Sequence, residues 1–153
     1  MRVRETKDCA LIAELNKHVH KLHVELYPTY FKPYNYEQVK GFFENMVNHP
    51  QFVFFVLEAE GEARGYSWVE IRKHSENPFK KAYTSIYVHQ ISVEEGYRKR
   101  GCGQHLMKAV ERLGETHSAS EIEVDYWIDN QEAKRFYEKN GFIKFRECVH
   151  KYI

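Results

Sequence analysis

The chain has 153 residues, 42% of them apolar, with 23 Lys and Arg against 22 Asp and Glu. That length suits one domain of common size, roughly 100–150 residues, expected here to span 1–153, and it can bury a core without disulfides or a structural metal. A net charge of +1 excludes bulk electrostatic binding to nucleic acid as the default, and an aromatic fraction of 15% excludes a disordered chain.

Met1 to Arg4 reads as a short strand, and Thr6 or Asp8 can cap the helix that follows. Leu11, Leu15, Val19, Leu22 and Leu26 recur at helical spacing and mark its inner face. Pro28 and Pro33 bound an aromatic loop containing Tyr27, Tyr30, Phe31 and Tyr34. A second helix is expected over Tyr36 to Asn48, with Val39, Phe42, Phe43 and Met46 inward. Gln51 to Glu58 and Ala63 to Arg72 read as paired strands joined at Glu60-Gly61. Ala82 to Val93 is the next strand, rich in Tyr, Ile and Val. Leu106, Met107, Val110 and Leu113 mark a helix after Gly101-Cys-Gly103. Glu121 to Ile128 reads as a strand and Glu132 to Lys139 as a short helix ended by Asn140-Gly141. Phe142 to Tyr152 is expected to close the chain as a strand. The order β-α-α-β-β-β-α-β-α-β favours a mixed α/β sheet with a meander at its centre.

Cys9, Cys102 and Cys148 are widely spaced and form no CxxC pair, as in a reduced, intracellular chain. The N-terminus has no apolar signal core, and no stretch approaches the roughly 20 apolar residues of a membrane span. The expected location is the cytoplasm.

Chemistry concentrates in Ile91-Ser-Val-Glu-Glu-Gly-Tyr-Arg-Lys-Arg-Gly-Cys-Gly-Gln-His-Leu-Met107. A strand ends at Val93, a turn carries Arg98, Lys99 and Arg100, and Gly101 and Gly103 open a helix. Amides at a helix start lack intrahelical partners and sit at the positive end of its dipole, so the segment suits a phosphate or pyrophosphate. An ordinary basic strand-to-helix turn would read the same way. Neither GxxxxGK[ST] nor GxGxxG is present, so the P-loop and the dinucleotide fingerprint are excluded.

Arg98-Lys-Arg-Gly-Cys-Gly103 resembles the [RQ]-x-x-G-x-[GA] signature of the GNAT superfamily of N-acetyltransferases. Asn130-Gln-Glu-Ala-Lys-Arg-Phe-Tyr-Glu-Lys-Asn-Gly-Phe142 resembles the segment that follows that family's fifth strand. The tight match covers Ile91 to Phe142, and the N-terminal half agrees in element order only. The resemblance implies a mostly antiparallel, splayed sheet with helices on both faces and acetyl-CoA in the gap between two diverging strands. It implies that the backbone around Ile91, Ser92 and Val93 pairs with the pantetheine arm. Amides from Arg98 through Lys99, Arg100, Gly101, Cys102 and Gly103 to Gln104 would hold the pyrophosphate, and the Asn130 side chain would touch the CoA arm. Tyr137 stands where the family's frequent general acid stands, beside the thioester sulfur; a core aromatic is the other reading.

The base is open. The family's frequent carboxylate is absent from the strand Ser85-Ile-Tyr-Val-His-Gln-Ile-Ser-Val93, where His89 is the leading candidate because an ordinary histidine titrates near 6.5. Strand alternation places Tyr87, His89, Ile91 and Val93 on one face. Glu70 and Asp125 are the reserve candidates, and solvent is the remaining acceptor for the proton.

His18, His20 and His23 cluster on the first helix, but HExxH is missing and no ligand set is complete, so no metal is expected. The aromatic loop could wall an acceptor site or simply pack. Cys102, among cations at a helix start, reads as an incidental alkylation-sensitive thiol. The expected activity is direct acetyl transfer to a primary amine: a small molecule, a polyamine, an aminoglycoside or a peptide N-terminus. The alternative is a non-catalytic CoA-binding sensor or interaction module. The resemblance leaves a homodimer open, and neither nucleic acid nor membrane is expected as a partner.

Overall fold

The computed structural model describes residues 1–153. Five strands form one sheet in the order β1 (Arg2–Glu5), β2 (Phe52–Ala59), β3 (Glu62–His74), β4 (Tyr83–Val93) and β5 (Glu121–Val124). The first four pair antiparallel, and β5 joins β4 in parallel. The helices are α1 (Cys9–Leu26), α2 (Tyr36–Glu44), α3 (Cys102–Thr116) and α4 (Gln131–Lys139).

The strands alternate their side chains between two faces, so the sheet builds two cores. One holds Leu57, Val69, Ile86, Val88, Leu106, Met107 and Val110, with α3 against the sheet. The other holds Ile12, Leu15, Phe43, Phe54, Tyr66 and Trp68, with α1 and α2 on the opposite face. Each fully buried aliphatic or aromatic side chain contributes about 1.5–3 kcal/mol relative to exposure.

Asp8, rather than Thr6, caps α1, its Oδ1 accepting from the Leu11 amide at 3.0 Å. The deepest residues of α1 are Ile12, Ala13, Leu15 and Asn16, so the buried stripe is rotated from the one the leucine spacing marks. Helix α2 stops at Glu44; Phe43 is buried, while Phe42 is half exposed.

Two strand expectations are corrected. β5 ends at Val124, not Ile128, because the chain there leaves β4. Phe142 to Tyr152 forms no strand. Only Phe142 packs, against Tyr137 at 5.2 Å between ring centroids, and the apolar side chains beyond it stand in solvent, where no sheet edge of the same chain pairs with them.

Candidate active site

Pairing of β4 with β5 stops at Val88 and Val124, yet β4 runs on to Val93. The two strands therefore open like a V, and the β4 edge from His89 to Val93 has no β5 partner. At the same level β4 carries a bulge: Val69 pairs with Val88 and Trp68 with Gln90, leaving His89 as the extra residue. A bulge re-aims side chains and breaks alternation. Val88, Ile91 and Val93 accordingly pack with the α3 core, while His89 stacks on Trp68 of the other face, 4.3 Å between centroids. This corrects the placement of Ile91 and Val93 on the face of Tyr87 and His89.

His89 Nε2 lies 2.7 Å from Glu70 Oε2, and the Arg72 Nε–H donates to the same oxygen at 3.0 Å. Burial pushes His89 below the usual histidine value and outweighs the opposing pull of Glu70. Burial alone would raise Glu70, but hydrogen bonds from His89 and Arg72 hold it below the usual carboxylate value. The result is a neutral imidazole with one nitrogen fixed by a carboxylate, an arrangement suited to accepting a proton on the other. Tyr87 stands beside His89, 4.8 Å between centroids; its hydroxyl donates to Asp125 and its ring lies under Arg72 at 3.7 Å. Asp125 thus holds Tyr87 across the mouth of the V.

Tyr137 comes from α4, joins the core on the α3 face and is 5% exposed. It stacks on Tyr126, 5.7 Å between centroids. Burial, with the Tyr87 and Asp125 charges adding to it, pushes its phenol well above the usual value. A phenol held protonated can donate a proton but does not compete as a base.

The phosphate-type turn is built at the end of β4. Gly101, the N-cap of α3, has φ +84°, a conformation glycine adopts without steric cost. The first helical bond is His105 N–H to Gly101 O at 3.1 Å, so the amides of Cys102, Gly103 and Gln104 precede it and face outward. The Arg98 amide is already used, donating to Glu95 O at 3.2 Å. The Arg98 side chain ties the end of β4 to α4, through Val93 O at 3.0 Å and Glu132 at 3.0 Å. Arg100 pairs with Glu60 at 3.0 Å, and Lys99 sits at φ +59° on the exposed turn. Gly103 packs closely under α4: a Cβ there would lie 2.7 Å from Phe136 Cε2, so the ring would have to shift to admit it. Cys102 is 1% exposed beside Met1, which removes it as a thiol open to alkylation. Asn130 caps α4, its Oδ1 accepting from the Ala133 amide at 3.1 Å.

Composition and spacing did not reveal a buried polar cluster under the bulge. Asn16 of α1 donates to Tyr66 Oη at 2.9 Å and to Gln90 Oε1 at 2.7 Å, and Tyr66 O–H donates to the same Gln90 oxygen. It ties α1 to β3 and β4. Beside it, a cleft of about 240 Å³ between α1, α2 and the sheet is lined by Asn16, His20, Lys32, Gln38, Trp68 and Gln90. The aromatic loop closes onto the segment after β5: Tyr27 meets Trp127 at 4.4 Å, and its hydroxyl donates to Asp129 at 2.7 Å. His20 and His23 serve this loop, bonding Lys32 O at 2.6 Å and stacking on Phe31 at 4.9 Å. Trp68 and Trp127 were the missed aromatics; the indoles themselves were the available signal, as large rings with one polar edge.

The Acetyltransferase (GNAT) family model matches residues 16–142. An N-alpha-acetyltransferase of Sulfurisphaera tokodaii is 31% identical over 115 residues, covering 72% of this chain and 68% of that protein. The tetramutant of BH1408 from Bacillus halodurans superposes with a TM-score of 0.93 at 23% identity, over 100% of both chains. The aminoglycoside N-acetyltransferase AAC(6')-Iy, in complex with CoA, superposes with a TM-score of 0.72 at 19% identity, over 99% of this chain and 93% of that one. No helix is long and apolar enough to cross a membrane. With the V between β4 and β5, the glycine-capped turn and the family match in one place, the chain belongs to the GNAT family of acetyltransferases and is an N-acetyltransferase.

Proposed function

We propose that the protein transfers acetyl from acetyl-CoA directly to a primary amine, with His89 as base and Tyr137 as acid. The observation that carries this is the His89–Glu70 pair on the β4 bulge, beside the unpaired β4 edge. The residues around the gap fit acetyl-CoA as co-substrate. The free edge at Ile91, Ser92 and Val93 offers a ladder to the pantetheine amides. The α3 amides at Cys102, Gly103 and Gln104, with Lys99 and Arg100 beside them, offer donors and charge to the pyrophosphate. The Asn130 side chain faces the same gap in this reading, beyond its capping role.

An alkyl ammonium must lose a proton before it attacks. The free nitrogen of His89 takes it, and Glu70 stabilises the imidazolium that forms. The Tyr137 phenol returns a proton to the departing thiolate. The amine approaches from the α1–α2 side, where the cleft beside Trp68 and Gln90 and the wall of Tyr27, Phe31 and Trp127 lie. The name of the Sulfurisphaera relative favours a peptide N-terminus among the amines; aminoglycosides, polyamines and small amines are the competing acceptors.

The test is CoA release from acetyl-CoA across a panel of these amines, with the wild type and Tyr137→Phe. An acid of this kind contributes about 10²–10⁴-fold, so the variant should lose kcat by that factor while binding acetyl-CoA unchanged. Unchanged turnover with chemistry rate-limiting removes Tyr137 from the mechanism. CoA binding without release on any amine favours the sensor reading.

A further inference from the structure

The β4 bulge sets two consecutive side chains on one face of the sheet. Successive residues of a regular strand point to opposite faces. Here His89 stacks on Trp68, and Gln90 beside it meets Asn16 of α1 on the same side. Gln90 Oε1 accepts from both Asn16 Nδ2 and the Tyr66 hydroxyl. An amide oxygen has two lone pairs, so Gln90 is held in one orientation and its Nε2 is left over as a donor. That nitrogen has no partner in the chain and is not enclosed. Gln90 lines the cleft of about 240 Å³ between α1, α2 and the sheet.

The lining of this cleft holds cationic and neutral groups and no carboxylate. Its exposed cation, Lys32, takes part in no ion pair. The loop fixes where Lys32 stands. His20 Nε2–H donates to Lys32 O at 2.6 Å, and beyond Pro33 the Tyr34 hydroxyl donates to Ala13 O at 2.6 Å. Asn16 and Trp68 line the same cleft, 3% and 9% exposed, and each buries a polar atom without a partner, Asn16 Oδ1 and Trp68 Nε1. Buried polar atoms are nearly always paired, so unspent capacity of both signs beside a cleft points to a polar ligand. Val39 and Phe42 add an apolar wall.

We infer that the cleft selects an acceptor of amino-acid size, a primary amine that carries a carboxylate, with Gln90 and Lys32 as the residues that determine this choice. The inference rests on the reading of His89 as the base. The amine lies at His89, and the carboxylate of the same molecule accepts from Gln90 Nε2 and the Lys32 ammonium, bonds strengthened by charge. The acceptor's side chain lies against Val39 and Phe42. Other amines fit less well. A polyamine brings only donors and further cations, so it leaves the Gln90 and Trp68 N–H groups without an acceptor and sets like charges together. An aminoglycoside repeats the charge conflict, and about 240 Å³ is below the roughly 300–1,000 Å³ of pockets for drug-sized ligands. A peptide N-terminus satisfies Gln90 through a carbonyl and leaves Lys32 unpaired.

The experiment uses matched amines: alanine, leucine and phenylalanine, each as the acid, the carboxamide and the decarboxylated amine, with spermidine and kanamycin beside them. CoA release from acetyl-CoA is measured for the wild type and Lys32→Glu. The best acid should exceed its carboxamide by about 10–100-fold in kcat/KM, as a hydrogen bond to a charged group provides, and Lys32→Glu should remove that lead. Tryptophan fluorescence with the same compounds and free CoA, where no transfer can occur, reads binding alone; the acids should bind, and Lys32→Glu should lose them. Turnover in which a carboxamide, spermidine or kanamycin matches the acids overturns the proposal and leaves acetyl transfer standing. Acid-selective binding without turnover of any amine supports the cleft assignment and overturns the transfer reading instead. A preference for acids that survives Lys32→Glu, or acids that are neither bound nor acetylated, also overturns the proposal.

Discussion

His89 depends on its neighbours for both position and protonation. The β4 bulge turns it toward Trp68, and Glu70 fixes one of its nitrogens. Because burial lowers its pKa, the base form is already populated near neutrality, and kcat/KM should rise with pH through a limb below the ordinary value of about 6.5. Glu70 opposes that shift, raising His89 by its hydrogen bond and charge. Glu70→Gln removes the opposition, so the His89 pKa falls further and the acid limb moves to lower pH. A limb that stays in place in the pH profile of Glu70→Gln assigns the titration to another group. His89→Ala should abolish that limb and cost about 10²–10⁴-fold in rate.

At the scale of elements, the helix ends set the site. Gly101 starts α3, whose first amides precede its helical bonds, and Asn130 starts α4, which carries Tyr137. Asp8 performs the same capping at α1, on the other side of the sheet. Losing a cap costs about 1 kcal/mol, or about 2–4 °C in melting temperature for a chain of this size. Asp8→Ala and Asn130→Ala should therefore destabilise alike. Asn130→Ala alone should also raise the KM for acetyl-CoA; equal KM values in both variants would leave Asn130 as a cap only. Element order and the two signature turns were legible in the sequence because helix faces, strand runs and glycine turns are local patterns. The β4 bulge was not, since it follows from the pairing with β3. The terminal strand was read from propensity, and propensity cannot supply the neighbour that a strand needs.

Across the whole molecule, the sheet divides the work. α3 and its core support the proposed cofactor turn, while α1, α2 and the aromatic loop enclose the side assigned to the acceptor. A ligand at 100 times its dissociation constant adds about 2.7 kcal/mol of stability. Acetyl-CoA and free CoA should therefore raise the melting temperature by several degrees, at about 2–4 °C per kcal/mol, while ATP and NAD should not. No shift with either CoA species on folded protein would mean that the turn after β4 does not hold the pyrophosphate.

By itself, the sequence determined the family and the order of the elements as far as α4. Those features lie in contiguous stretches, Arg98 to Gly103 and Asn130 to Phe142. Only the tertiary structure decided that Glu70 serves His89, that Asp125 serves Tyr87, that Asn16 ties α1 to the sheet and that residues 143–153 form no strand. Each of those joins residues distant in the chain, and the strand register and the bulge that bring them together are products of packing rather than of local pattern.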